Sequence, residues 1–224
     1  MTVQAKTPLL LIGGGGHCAS MIDVIESTQQ YEIIGIVEAP GVTQTEFMGF
    51  PVLGTDDHLE SLIKQTPQCV ITVGQLRNAD LRKALFQKVL ALGGQLPVII
   101  SPLARVAKQS EIGAGTVVMH FALVNSLASI GENCIINSYA SVEHGSKLGA
   151  NCHLSTRATL NGDCHIGHST FIGSGATVLQ GKSVAAESVI GAGALVTKNF
   201  SEKGVYLGSP AQLVGLESSN LSQQ

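Results

Sequence analysis

From Val106 onward an aliphatic residue returns at every sixth position: Val106, Ile112, Val118, Val124, Ile130, Ile136, Val142, Leu148, Leu154, Leu160, Ile166, Ile172, Val178, Val184, Ile190 and Val196. Neither the period of an α-helix nor that of a β-strand yields this spacing. Four residues after most of them stands a small side chain, as at Ser110, Thr116, Ala122, Ala128, Cys134, Ala140, Cys152, Ala158, Cys164, Thr170, Ala176 and Ala194. A hexapeptide β-helix has this signature: each face of a triangular coil takes six residues, three faces close a coil, and stacked coils bury a continuous core. Residues 18 apart should lie one above another, ~4.8 Å apart. Gly113, Gly131, Gly149 and Gly167 are themselves 18 apart and mark one corner of the prism. Cys134, Cys152 and Cys164 take small inward positions and read as core, where a thiol behaves as a small hydrophobe.

The chain before the hexads has a different rhythm. "PLLLIG", "YEIIGIVE", "CVITVG" and "PVII" are short apolar runs, separated by amphipathic stretches such as "HCASMIDVIESTQ", "DDHLESLIKQ" and "NADLRKALFQKVLALG". This β-α-β-α-β-α-β order predicts a small parallel sheet of four strands covered by helices. Pro97 and Pro102 bracket the last strand, so the expected units are 1–102 for the sheet domain, 103–198 for the β-helix and 199–224 for a C-terminal tail. "GGGHCA" stands between the first strand and first helix, and Gly14, Gly16 and Ala19 fit G-x-G-x-x-G/A, with Glu38 ending the next strand. That pattern is formally a dinucleotide fingerprint. One glycine-rich turn, however, presents helix N-terminal N–H groups to any diphosphate.

Composition narrows the partners. Charged residues make up 13% and the formal net charge is −3, so no basic field exists to hold nucleic acid. The apolar runs are far shorter than the ~20 residues of a membrane span, and no cleavable leader is visible, so no membrane insertion is expected. Five cysteines without a C-x-x-C pair argue against a disulfide framework or a structural zinc and suit a reducing cytoplasm.

The unbroken hexads, with "IINSYASVEHGSKLGANCHLS", "GSGATV", "IGAGALVTKN" and "LGSPAQLVG" and the opening "LLLIGGGGH", resemble the bacterial sugar acetyltransferases of the sialic acid O-acetyltransferase (NeuD/PglD-like) family. The resemblance covers nearly the whole chain. It implies an α/β + β fold, in which an N-terminal Rossmann-like domain precedes a left-handed parallel β-helix. It also implies acetyl-CoA as co-substrate, no metal, a nucleotide sugar as acceptor and a homotrimer. The implied activity is N-acetylation of the 4-amino group of a nucleotide-linked 4-amino-4,6-dideoxy sugar. O-acetylation of a sialic or related nonulosonic acid, and a non-catalytic nucleotide-sugar-binding scaffold, are the alternatives.

Matched residue by residue, the resemblance assigns Asn137, Glu143 and His144 to catalysis, with His144 as general base. An imidazole titrating near neutrality suits proton removal from an attacking amine or hydroxyl. The resemblance places His153 at the acetyl thioester, and the acetyl-CoA set comprises His153, Gly162, Gly173, Gly191, Ala192 and Lys198. Gly162 lies one coil from His144, where a missing side chain would let a ligand approach. The nucleotide-sugar set comprises Gly13, Gly14, Gly15, Gly16, His17, Glu38, Gly74 and Arg82. Two positions depart from the family pattern: Gly145 stands where an acidic residue often follows the base, and Ala192 where a relative has glycine. His120, His165 and His168 match nothing catalytic and read as exposed scaffold. A three-histidine zinc site, as in β-helical carbonic anhydrases, would suit the histidine count. The long N-terminal domain and the acyltransferase-like tail do not suit it.

Overall fold

A computed structural model describes residues 5–76 and 78–215. Residues 1–4 of the expected first domain and 216–224 of the expected tail lie outside the described residues.

The N-terminal unit runs β1 (Thr7–Ile12), α1 (Gly16–Thr28), β2 (Tyr31–Glu38), β3 (Glu46–Phe47), β4 (Phe50–Thr55), α2 (Leu59–Gln65), β5 (Cys69–Ile71) and α3 (Asp80–Ala91). Its sheet has the order β3-β4-β2-β1-β5, parallel except for the β3–β4 hairpin. β1 is central and its Leu9 to Ile12 are buried, as a strand covered on both faces requires. β4 was not expected from sequence: its "FPVLGT" carries a proline and a glycine and has no buried residue, so neither an apolar run nor clean alternation marks it. The opposite holds for the fourth expected strand. Ile99 and Ile100 form β6, which pairs with Val117 and Val118 and so opens the β-helix instead of closing the first sheet.

From β6 onward two-residue strands repeat every six positions and pair with those 18 residues away, as Leu123 does with Ser141, Ser129 with Lys147 and Ile135 with His153. The three faces are parallel sheets, and the third ends with Val205–Leu207 and its antiparallel partner Gln212–Gly215. The interior holds the expected aliphatic ladder with Cys134, Cys152 and Cys164, all fully buried. At one corner the coils touch through backbone: a Cβ on Gly131 would lie 2.5 Å from the Ala150 nitrogen, which explains the glycine column. Every sixth residue from Gly115 to Gly193 has positive φ, although Phe121, Leu127, Tyr139 and Arg157 are among them. Those from Leu127 to Gly193 donate their N–H to the coil below, as Tyr139 does to the His120 carbonyl at 3.2 Å. Coil stacking thus imposes a left-handed turn on side chains that disfavour it.

One face of the β-helix is not a surface. Ile99, Val117 and Ile135 point outward from the coils into the cluster of Leu9, Leu11, Cys18 and Met21. The sheet domain therefore packs on this face through a common apolar core.

Candidate active site

The candidate residues fall in columns set by the 18-residue coil. Asn137, Ser155, Gly173 and Gly191 form one column; His144, Gly162, Gln180 and Lys198 form another. The two columns stand at different corners of the prism, and within one chain Asn137 lines one cavity and Glu143 and His144 another.

The first corner faces the sheet domain. Between them lies a cavity of about 800 Å³ lined by Gly13 to His17, Glu38, Thr72 to Leu76, Arg82, Asn137, His153 and Ser155, among others. Gly13 (φ +103°) has its Cβ direction filled by Val73, and the Glu38 carboxylate occupies the space beside Gly14. Gly15, the N-cap of α1, and Gly16 face open space, leaving the α1 N-terminus accessible to an anion. A Cβ on Gly74 would come within van der Waals contact of the Cβ of His17, at 3.4 Å. His17 Nε2 and Gln75 Oε1 are buried without a hydrogen-bond partner, at a cost in stability. Burial, with smaller contributions from the charge of Arg82 and from His153, lowers the pKa of His17 to about 3, so its ring is neutral.

His153 is not at a corner, as its place in the hexad suggests. It lies in the strand His153–Leu154, in the outward column continuing Val117 and Ile135, and the sheet domain buries it. Its Nδ1 meets the main-chain oxygen of Gln75 at 2.5 Å and its Nε2 the Asn137 amide nitrogen at 3.1 Å. Burial lowers its pKa to about 4, with the Gln75 carbonyl opposing and Arg82 assisting. A neutral ring must donate from Nδ1, because a carbonyl only accepts. Nε2 therefore accepts from Asn137, whose own oxygen accepts the Ser138 N–H at 2.8 Å. Both nitrogens of His153 are thus committed, and the ring fixes the orientation of Asn137. Its one-coil neighbour Phe171 meets it edge-on at 5.3 Å.

Arg82, expected at the substrate, is fully buried and spends its guanidinium on carbonyls. Nη1 donates to Ile71 at 2.6 Å and Val73 at 2.9 Å, Nη2 to Gly115 at 3.3 Å and Nε to Asn133 at 3.2 Å. It ties α3 and the end of β5 to the β-helix. Burial lowers its pKa to about 10, which leaves the cation beneath the cavity intact.

The second corner is open. His144 is exposed in a cavity of about 550 Å³ with Glu143, Asn161, Gly162, Leu179, Gln180 and Lys182. Its ring lies over Gly162, where a Cβ would sit 2.5 Å from Cε1 and 2.6 Å from Nε2. The space that sequence reserved for a ligand is therefore taken by the imidazole. Glu143 accepts from the Asn125 amide, one coil below, at 2.6 Å.

In the remaining acetyl-CoA set, Gly173 is buried beneath the Ala192 backbone nitrogen, Gly191 is covered by Leu207, and Ala192 and Lys198 are exposed. His120 departs from its reading as exposed scaffold: its Nε2 lies 2.9 Å from Asp23 of α1 and its Nδ1 2.6 Å from the buried Ser101. His165 and His168 are exposed. Gln75 and Asn125 were missed in the sequence because neither belongs to a matched motif; only the 18-residue offset from Glu143 marks Asn125. Among the described residues no group of histidine, cysteine, aspartate and glutamate could hold a metal, and no helix is long and apolar enough to cross a membrane.

Comparison with known proteins covers nearly the whole chain. Residues 8–89 match the PglD N-terminal domain model, 128–162 the bacterial transferase hexapeptide model and 165–198 the hexapeptide repeat of succinyl-transferase. The acetyltransferase domain of PglB from Neisseria gonorrhoeae is 33% identical, with 93% of this chain and 100% of that chain covered at a TM-score of 0.86. Its complex with acetyl coenzyme A is matched at 32% identity, 94% and 100% coverage and a TM-score of 0.86. A histidine-to-alanine mutant of GDP-perosamine N-acetyl transferase from Caulobacter crescentus, in complex with CoA and GDP-perosamine, is matched at 31% identity, 94% and 98% coverage and a TM-score of 0.88. No match was found among curated proteins.

Proposed function

The chain belongs to the PglD-like family of hexapeptide-repeat sugar acetyltransferases, and on that premise we propose that it carries the acetyl group of acetyl-CoA to the 4-amino group of a nucleotide-linked 4-amino-4,6-dideoxy sugar. The observation that carries this reading is the cavity between the α1 N-terminus and Asn137, lined by Gly13 to His17, Glu38 and Gln75. Gly15 and Gly16 would hold the diphosphate, Glu38 would face the nucleoside, and the sugar would extend past His17 toward Asn137. The Caulobacter relative, with CoA and GDP-perosamine bound, supports a nucleotide-linked amino sugar as acceptor.

In this reading His144 removes a proton as the amine attacks the thioester carbonyl. The C–N bond forms, the tetrahedral intermediate collapses with loss of the C–S bond, and the proton passes to the departing thiolate of CoA. Asn137, oriented by His153, offers its remaining N–H to developing charge. Because Asn137 and His144 stand at different corners, one chain supplies two half-sites. A homotrimer would set the His144 corner of one subunit against the Asn137 corner of the next, with acetyl-CoA between them along Gly173 and Ala192. Five buried, unpaired cysteines suit a cytoplasmic location.

The test is a panel of nucleotide sugars, with and without a 4-amine, incubated with acetyl-CoA and read by mass spectrometry, with His144→Ala alongside. Acetylation confined to the 4-amino compounds and a fall of roughly 10²–10⁴-fold in the variant are expected. Acetylation of hydroxyls alone, or full turnover in His144→Ala, would overturn the reading.

A further inference from the structure

The left-handed residues of the β-helix form a column at each corner. Beside Asn137 the column runs Phe121, Tyr139, Arg157 and Gly175; beside His144 it runs Leu127, Gly145, Asp163 and Gly181. Corresponding members are six residues apart, a third of a coil, so they differ in height by only about 1.6 Å. Level by level the two corners are complementary. Phe121 and Leu127 are both apolar, 51% and 70% exposed. One coil up, Tyr139, 51% exposed, stands level with Gly145, which has no side chain. One coil further, Arg157 is level with Asp163, and both are exposed and outside the ion pairs formed among the described residues.

Both charged groups lean the same way. The Arg157 guanidinium lies over the Tyr139 ring, 5.6 Å from its centroid, and Asp163 Oδ1 fills the space that a Cβ on Gly145 would need. The charges therefore stay at matching heights. Phe121 supports the Tyr139 ring from below, stacked at 4.9 Å and 18°. Within one chain a whole face of the prism separates the corners, so the chain cannot satisfy this match by itself.

We propose that the corner of Phe121, Tyr139 and Arg157 docks on the corner of Leu127, Gly145 and Asp163 in a second copy of this chain. This rests on the reading of the two corners as half-sites of one acetyl-transfer centre. Asn137 lies two residues before Tyr139 and His144 one residue before Gly145, so a seam that joins the corners at equal height also joins the half-sites. The complementary surfaces have no offset along the coil axis, and copies joined through them close into a ring instead of propagating as a filament. The face between the corners then turns toward the ring's axis, where the short outward side chains of Ser141, Thr159 and Thr177 leave room for it.

Charge exchange tests the seam without any substrate. Native mass spectrometry and sedimentation should show a trimer for the unaltered chain. Arg157→Asp and Asp163→Arg each set like charges together, and each should raise the concentration of half-dissociation by about tenfold or more. The double variant should return to within about threefold of the starting value. Arg157 and Asp163 share a left-handed backbone, φ +60° and +58°, so the exchange keeps both turns. Leu127→Asp, which tolerates that backbone better than leucine, should dissociate the assembly with an unchanged circular dichroism spectrum. A monomeric unaltered chain, an assembly indifferent to both single reversals, or a double variant as dissociated as the single ones would overturn the inference. Its failure and that of the functional reading are distinct: an assembly that obeys the charge exchange but acetylates no nucleotide sugar keeps the seam and loses the reaction, whereas acetylation by a monomeric chain keeps the reaction and loses the seam.

Discussion

The ring of His153 is held by the main-chain oxygen of Gln75, 78 residues earlier, in a contact that joins the loop after β5 to the third coil face. Burial lowers the pKa of His153 to about 4, against an ordinary value of 6.5, so unfolding takes up a proton between those limits. Stability from this residue is complete above pH 6.5 and is lost as pH falls toward 4. The expected cost is about 2 kcal/mol at pH 5, and His17 acts in the same direction. Thermal unfolding at pH 7.5 and 5.0 should show a drop in melting temperature that is smaller in His153→Gln. An equal drop in the variant would assign it elsewhere.

Arg82 satisfies four backbone carbonyls from both structural units with one buried cation. Replacing it with methionine keeps much of the packing and leaves those oxygens without donors, at an expected cost of roughly 3 kcal/mol or more. Urea unfolding measures this directly. A loss of nucleotide affinity with unchanged stability would instead restore Arg82 to the ligand role that sequence matching gave it.

At Gly162 the structure changes the expected kinetic phenotype. A methyl group there meets the His144 ring, so Gly162→Ala should lower kcat by roughly 10- to 100-fold through misplacement of the base. KM for acetyl-CoA should stay within about twofold. Steady-state kinetics with varied acetyl-CoA distinguish this from the alternative, a raised KM with normal kcat, which would show that the glycine faces the cofactor.

Much of the architecture was legible in the order of residues because the relevant physics is local and repeated. A six-residue aliphatic period admits one way of burying its side chains, so the coil, its 18-residue stacking and the buried cysteines follow from counting. The glycine turn between β1 and α1 was equally visible, since its open N-terminus depends on neighbours in sequence. The left-handed corners were not, because Leu127, Tyr139 and Arg157 do not favour that turn; hydrogen bonds to the coil below impose it.

Tertiary packing decided the rest. Ile99–Ile100 paired with Val117–Val118 of the β-helix and not with the edge of the first sheet, a choice between partners that its apolar run does not distinguish. His153 and Arg82 read as ligand groups in the sequence; both line the cavity, and docking of the sheet domain on one coil face also buried both and gave them protein partners, among them Gln75 for His153 and Gly115 and Asn133 for Arg82. The motif holding Asn137, Glu143 and His144 is compact in sequence but turns a corner of the prism, which separates its members. Sequence determined the coil and the chemical inventory of the site; the packing of two units determined which of those groups are free to react, because accessibility and partners depend on surfaces distant in the chain.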